Sequence, residues 1–115
     1  MRRLYSLAVI AFNNALEHNY DDARTYNNLG LALARLARYQ EALVAFRKGG
    51  SEARAHNNLG CIYLEQGKYK KAIDSFTKAI EISPKYYTKA SDNLQKARRA
   101  YRKSRLAAED NRTGE

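Results

Sequence analysis

The sequence is poor in residues that break or crosslink a chain. In 115 residues it has one proline, six glycines, one cysteine, two histidines and no tryptophan. Cys61 alone cannot staple the chain internally, and a four-thiolate zinc site is excluded. No apolar run approaches the roughly 20 residues of a membrane span. Arg2 and Arg3 are soon followed by Asn13, Asn14, Glu17 and His18 with no small-residue cleavage site, so no signal peptide is expected. With few breakers and no strand-like alternation, the expected class is all-α in a single domain. The lone cysteine favours a reducing, cytoplasmic compartment.

Charge is plentiful but uneven. Lys and Arg number 21 against 12 Asp and Glu, a net charge of +9 at pH 7. Lys85, Lys89, Lys96, Arg98, Arg99, Arg102, Lys103 and Arg105 stand against Asp92 alone in residues 84–105. Such a segment either solvates an outer face or meets phosphate or acidic protein.

The chain repeats itself. Asn27-Asn28-Leu29-Gly30 returns as Asn57-Asn58-Leu59-Gly60. Tyr39-Gln40-Glu41-Ala42-Leu43-Val44-Ala45-Phe46 returns as Tyr69-Lys70-Lys71-Ala72-Ile73-Asp74-Ser75-Phe76, and an earlier copy runs from Tyr5 to Phe12. All three phenylalanines occupy one repeat position, four residues after Ala8, Ala42 or Ala72. Tyr26, Leu29, Gly30, Leu33 and Leu36 have helical spacing, as do Tyr39, Ala42, Leu43 and Phe46. Leu36 to Tyr39 leaves room only for a tight turn, so each unit reads as an antiparallel helix pair. Gly30 and Gly60 fall mid-helix, where glycine costs about 1 kcal/mol relative to alanine. Close approach of a neighbouring helix would justify them, with Ala42 and Ala72 as small partners and Phe46 and Phe76 filling the space between pairs.

These residues resemble the tetratricopeptide repeat. The second copy carries the pattern in Leu59, Gly60, Tyr63, Gly67, Tyr69, Ala72, Phe76, Ala79 and Pro84, with His56 in place of the first aromatic. The first copy matches at Tyr26, Leu29, Gly30, Tyr39, Ala42 and Phe46, with Leu33 for the second aromatic and Ala37 for the turn glycine. The resemblance implies an α-solenoid of helix hairpins with a C-terminal capping helix. Residues 1–20 are the second helix of a partial repeat, 22–50 a repeat with a shortened second helix, 51–83 a full repeat, 84–106 a basic cap and 107–115 a flexible tail.

Two departures carry structural expectations. Phe46 to His56 is four residues shorter than the family pattern, about one helical turn or ~6 Å. Gly49 and Gly50 then end the helix early, and Ser51 caps the next with Glu52 in its first turn. The first helix lacks a leading partner, so its face of Leu4, Leu7, Ala8, Ala11 and Ala15 needs cover from elsewhere in a longer array or from another copy. Ser83-Pro84 starts the last helix, where Tyr87, Ala90, Leu94, Ala97 and Tyr101 form the packing stripe.

Catalysis is not expected. There is no phosphate loop, no metal-ligand spacing and no plausible triad, and no cofactor is expected. His56 and Cys61 lie about 140° apart around one helix. His18 reads as a partner for a helix C-terminus. The chemistry gathers instead on the leading helices, which line the concave side of such a stack. Arg24, Asn28, Leu31 and Arg35 form one stripe, and Arg54, Asn58, Cys61 and Glu65 form the next in the same phase, bordered by Asn27 and Asn57. An asparagine amide can bond both groups of a peptide unit. Arginine pairs with carboxylates in bidentate fashion. The reading is a non-catalytic scaffold that holds an extended, acidic peptide of a protein partner in its groove. The resemblance adds that inner-face asparagines in this family form ladders along bound peptides or join carboxylate clamps. Two other functions compete: nucleic-acid binding by the basic last helix, with Tyr86 and Tyr87 as stacking groups, and homo-oligomer formation through the first helix.

Overall fold

The computed structural model describes residues 1–18 and 22–113. Among these, six α-helices follow one another: α1 Arg2–Glu17, α2 Ala23–Arg35, α3 Tyr39–Lys48, α4 Glu52–Glu65, α5 Tyr69–Ile82 and α6 Tyr87–Thr113. A 3₁₀ turn, Pro84–Tyr86, leads into α6. The helices pack in chain order as antiparallel pairs, and the molecule is elongated, 58 × 36 × 17 Å.

Local chemistry sets the helix ends. The Asp22 carboxylate accepts from the Thr25 backbone N–H at 2.8 Å and its hydroxyl at 2.9 Å, opening α2. The Ser51 hydroxyl accepts from the Arg54 N–H at 3.1 Å, opening α4 as expected. The α2–α3 and α4–α5 turns are the same device. Arg38 N–H reaches Leu33 O and Ala37 N–H reaches Ala34 O; Lys68 N–H reaches Tyr63 O and Gly67 N–H reaches Leu64 O. This double closure needs a left-handed residue after the helix. Gly67 supplies it at φ 75°, and Ala37 is forced into it at φ 63°. The imidazole Nδ1 of His18 lies 2.8 Å from Asn14 O at the end of α1, the terminal role expected of it.

The missing turn is where the repeat length placed it. Helix α3 has 10 residues and α5 has 14, and Gly49 caps α3 through bonds to Ala45 O and Phe46 O. The stack continues across the deletion. Arg47 on α3 bonds Glu52 on α4 at 2.7 Å and bridges the shortened connection.

The core corrects one expectation. Ala42 and Ala72 are fully buried, but the neighbours of the mid-helix glycines are the phenylalanines. A Cβ on Gly30 would lie 2.5 Å from the Phe46 ring, and one on Gly60 would lie 2.6 Å from that of Phe76. Each ring therefore seats on its own hairpin's glycine. Two apolar clusters result, one centred on Phe46 and one on Phe76, and Tyr63 packs against both.

Two ends differ from the sequence reading. On α1, Tyr5, Ala8, Phe12 and Leu16 pack inward and Val9 is buried. Leu4, Leu7 and Ile10 are 64%, 53% and 58% exposed, and Ala11 is also exposed, so the expected face is split between core and surface. On α6, Ala90, Leu94 and Ala97 are buried as expected, while the side chains of Tyr86 and Tyr87 lie outside what is described. The helix continues to Thr113, so the segment read as a flexible tail from residue 107 is helical for most of its length. It contains Ala107, Ala108 and Glu109 and no breaker before Gly114, which lets an established helix propagate.

Candidate functional site

The leading helices α2, α4 and α6 lie side by side in one layer. Between the N-terminal halves of α2 and α4 is a groove of about 420 Å³, lined by Ala23, Arg24, Asn27, Asn28, Leu31, Arg54 and Asn58. Six of the ten residues singled out from the sequence thus share one surface. Their spacing places them there: positions four and seven apart fall on one helix face, and equal phase in two repeats brings the faces together. Neither Arg24 nor Arg54 forms a salt bridge among the described residues. Arg24 and Arg54 stand in the first turns of α2 and α4, whose positive dipole ends add to the attraction for an anionic group.

The other predicted residues behave differently. Asn57 is 1% exposed, and its Oδ1 accepts from Asn93 Nδ2 at 3.0 Å. It ties α4 to α6 and is closed to a ligand, because its phase points toward the neighbouring helix. Asn27 lines the groove, but its Nδ2 donates to Gly49 O at 3.2 Å, holding the end of α3 against α2. Its Oδ1 is buried with no hydrogen-bond partner among the described residues. Arg35 and Glu65 spend their charges on each other across the repeat boundary, at 3.2 Å. Arg35 also lies over the Tyr5 ring. The far end of the stripe is therefore neutralised, and the free cations collect at the Arg24 and Arg54 end.

Cys61 is exposed at the α4–α6 boundary, 3.7 Å from Asn93 Nδ2. Partial desolvation raises its thiol pKa despite the pull of Lys89 and Lys96. The sequence reading places the two lysines only in the basic segment of residues 84–105 and does not single out Asn93. Lys89, Asn93 and Lys96 have the spacing of Arg24, Asn28 and Leu31, so α6 carries a third cation-and-asparagine stripe.

His56 is buried, with Nε2 3.2 Å from Glu52 Oε1. Burial lowers its pKa more than Glu52 raises it. The imidazole is therefore neutral at pH 7 and donates from Nε2. His56 and Cys61 face different neighbours and make no dyad. Among the described residues, no group of three or more His, Cys, Asp or Glu gathers where it could hold a metal ion. No described helix is long and apolar enough to cross a membrane.

Paired helices, Phe46 and Phe76 each seated on a glycine, and a leading-helix layer with aligned polar stripes are features of a helical repeat architecture. Family models described as tetratricopeptide repeat match residues 23–49 and 53–86. No curated protein matches the chain. Domains of this family are typically non-catalytic and mediate protein–protein interaction. The chain belongs to the tetratricopeptide repeat family.

Proposed function

We propose that the protein is a non-catalytic scaffold that binds an extended, acidic segment of a partner protein between α2 and α4. The observation that carries this reading is the convergence of Arg24, Arg54, Asn28 and Asn58 on one groove, with both guanidinium groups free of salt bridges among the described residues. Asn28 and Asn58 bond the partner's main chain and make recognition tolerant of its side chains. Arg24 and Arg54 pair with its carboxylates. Leu31 provides apolar contact. Cys61 lies farther along the layer, where Lys89 and Lys96 extend the positive surface. Arg35 and Glu65 brace α2 against α4 instead of contacting the ligand, and Asn27 and Asn57 hold the helices that present the groove.

Selecting random displayed 12-residue peptides against the protein tests this. Enrichment of acidic sequences is expected, with binding lost in an Asn28→Ala, Asn58→Ala variant that keeps its helical circular dichroism. Arg54→Ala alone should weaken a selected peptide by about 2 kcal/mol, as for a hydrogen-bonded charged anchor. Enriched peptides that are neutral or basic, or that bind the folded double variant with full affinity, would overturn the reading.

A further inference from the structure

A second charged surface lies by the α4–α5 turn, beyond the C-terminal end of α4, whereas the groove lies against the N-terminal half of that helix. A hollow of about 470 Å³ is lined by Gly67, Lys68, Tyr69, Lys70, Lys71, Tyr101 and Ser104, from the start of α5 and the middle of α6. Beside it, Arg98, Arg102 and Arg105 surround the other flank of Tyr101, with Leu106 and Glu109. The cations rest on aromatic rings. Lys70 Nζ is 5.8 Å from the Tyr101 centroid and Arg105 Cζ is 5.7 Å from it. Lys68 lies 5.0 Å over Tyr39 and Lys71 lies 5.8 Å over Tyr63. None of these four cations forms a salt bridge among the described residues. A tyrosine face offers only about 0.5–1 kcal/mol at an exposed site. A polyanion with closely spaced charges is therefore a better partner than the rings.

We infer that this surface binds single-stranded nucleic acid, independently of the α2–α4 groove. Three features separate that ligand from an acidic peptide. No asparagine or glutamine lines the hollow to read a main chain. Two cations stand within about 6 Å of the ring centre of a partly exposed tyrosine, so phosphates can be held while a base stacks on the ring as Lys70 and Arg105 swing away. Helix α6 then carries Arg98, Arg99, Arg102, Lys103 and Arg105 in an exposed run that a flexible phosphodiester backbone can follow. A lipid surface is disfavoured, because Leu106 is the one large apolar side chain exposed on the described part of α6.

The test is fluorescence anisotropy of the full chain with labelled 12-nucleotide oligouridine, oligothymidine and a 12-residue polyglutamate. Both or either oligonucleotide should bind at low salt, and the tighter of the two identifies RNA or DNA as the natural class. With about four phosphates neutralised, log K should fall against log salt with a slope near −3. Tyr101→Ala should weaken binding roughly tenfold, Tyr101→Phe should not, and Lys70→Glu with Arg105→Glu should abolish it. Circular dichroism establishes that each variant is folded, and the charge reversals touch only exposed side chains. The Asn28→Ala, Asn58→Ala variant should bind oligonucleotide normally, which separates this surface from the peptide groove. Polyglutamate binding to the Asn28→Ala, Asn58→Ala variant as tightly as the oligonucleotides, a Tyr101→Ala variant with unchanged affinity, loss of oligonucleotide binding in the double asparagine variant, or no binding at low salt would each overturn the inference.

Discussion

Single residues decide whether each hairpin closes. Ala37 holds φ 63° where the second repeat has Gly67 at φ 75°. An L-residue with a Cβ in this region costs about 1–2 kcal/mol, partly offset by glycine's greater freedom in the unfolded chain. Ala37→Gly should therefore stabilise the protein by about 0.5 kcal/mol, and Gly67→Ala should destabilise it by about 1 kcal/mol. Thermal denaturation of the pair reads both signs. Gly60→Ala would press a methyl group into the Phe76 ring and should cost about 1–3 kcal/mol by overpacking. His56 gives a pH signature. Its folded-state pKa is lowered by burial, so between the folded and unfolded values the unfolded chain holds more protons, and stability falls as the pH drops below about 6.5. Glu41 and Glu52 also have lowered values, and their contribution is lost only at more acid pH, below about 4.5. Denaturant midpoints at pH 7.5 and 5.5 should differ in the native protein and converge in His56→Gln.

The elements show how sequence spacing became geometry. Repeat length alone located the missing turn of α3, because a deletion of four residues leaves the helical phase nearly unchanged and lets the stack resume at Ser51. Replacing that cap, Ser51→Ala, should cost about 1 kcal/mol, and Ser51→Asp should retain the cap; a melting curve distinguishes them. What was legible was periodicity: the helix pairs, the tight turns, the basic cap and the stripe that places Arg24, Asn28, Arg54 and Asn58 together. What was illegible was contact between non-equivalent positions. Spacing could not show that Phe46 seats on Gly30, that Asn57 turns inward to Asn93, or that Arg35 and Glu65 neutralise each other, because each depends on the rotation of one helix against the next. The Lys89, Asn93 and Lys96 stripe was present in the sequence but offset by 35 residues from its predecessor, out of step with the 30-residue repeat before it.

At the scale of the whole molecule, whose net charge is +9, two positively charged surfaces differ in chemistry. One combines arginines with main-chain-reading amides between α2 and α4. The other combines lysines and arginines with Tyr101 between α5 and α6. The two share no lining residue and lie against different ends of α4, so variants in one should leave the other's ligand unaffected. The most direct measurement is a two-dimensional NMR titration following the side-chain amide signals of Asn28 and Asn58 as a selected acidic peptide is added. The expected result is large, saturable shifts of both pairs, with those of Asn57 little changed in its buried bond to Asn93. Shifts confined to α1 or to the C-terminal half of α6, with the Asn28 and Asn58 signals unmoved at saturation, would contradict the groove as the site of partner binding.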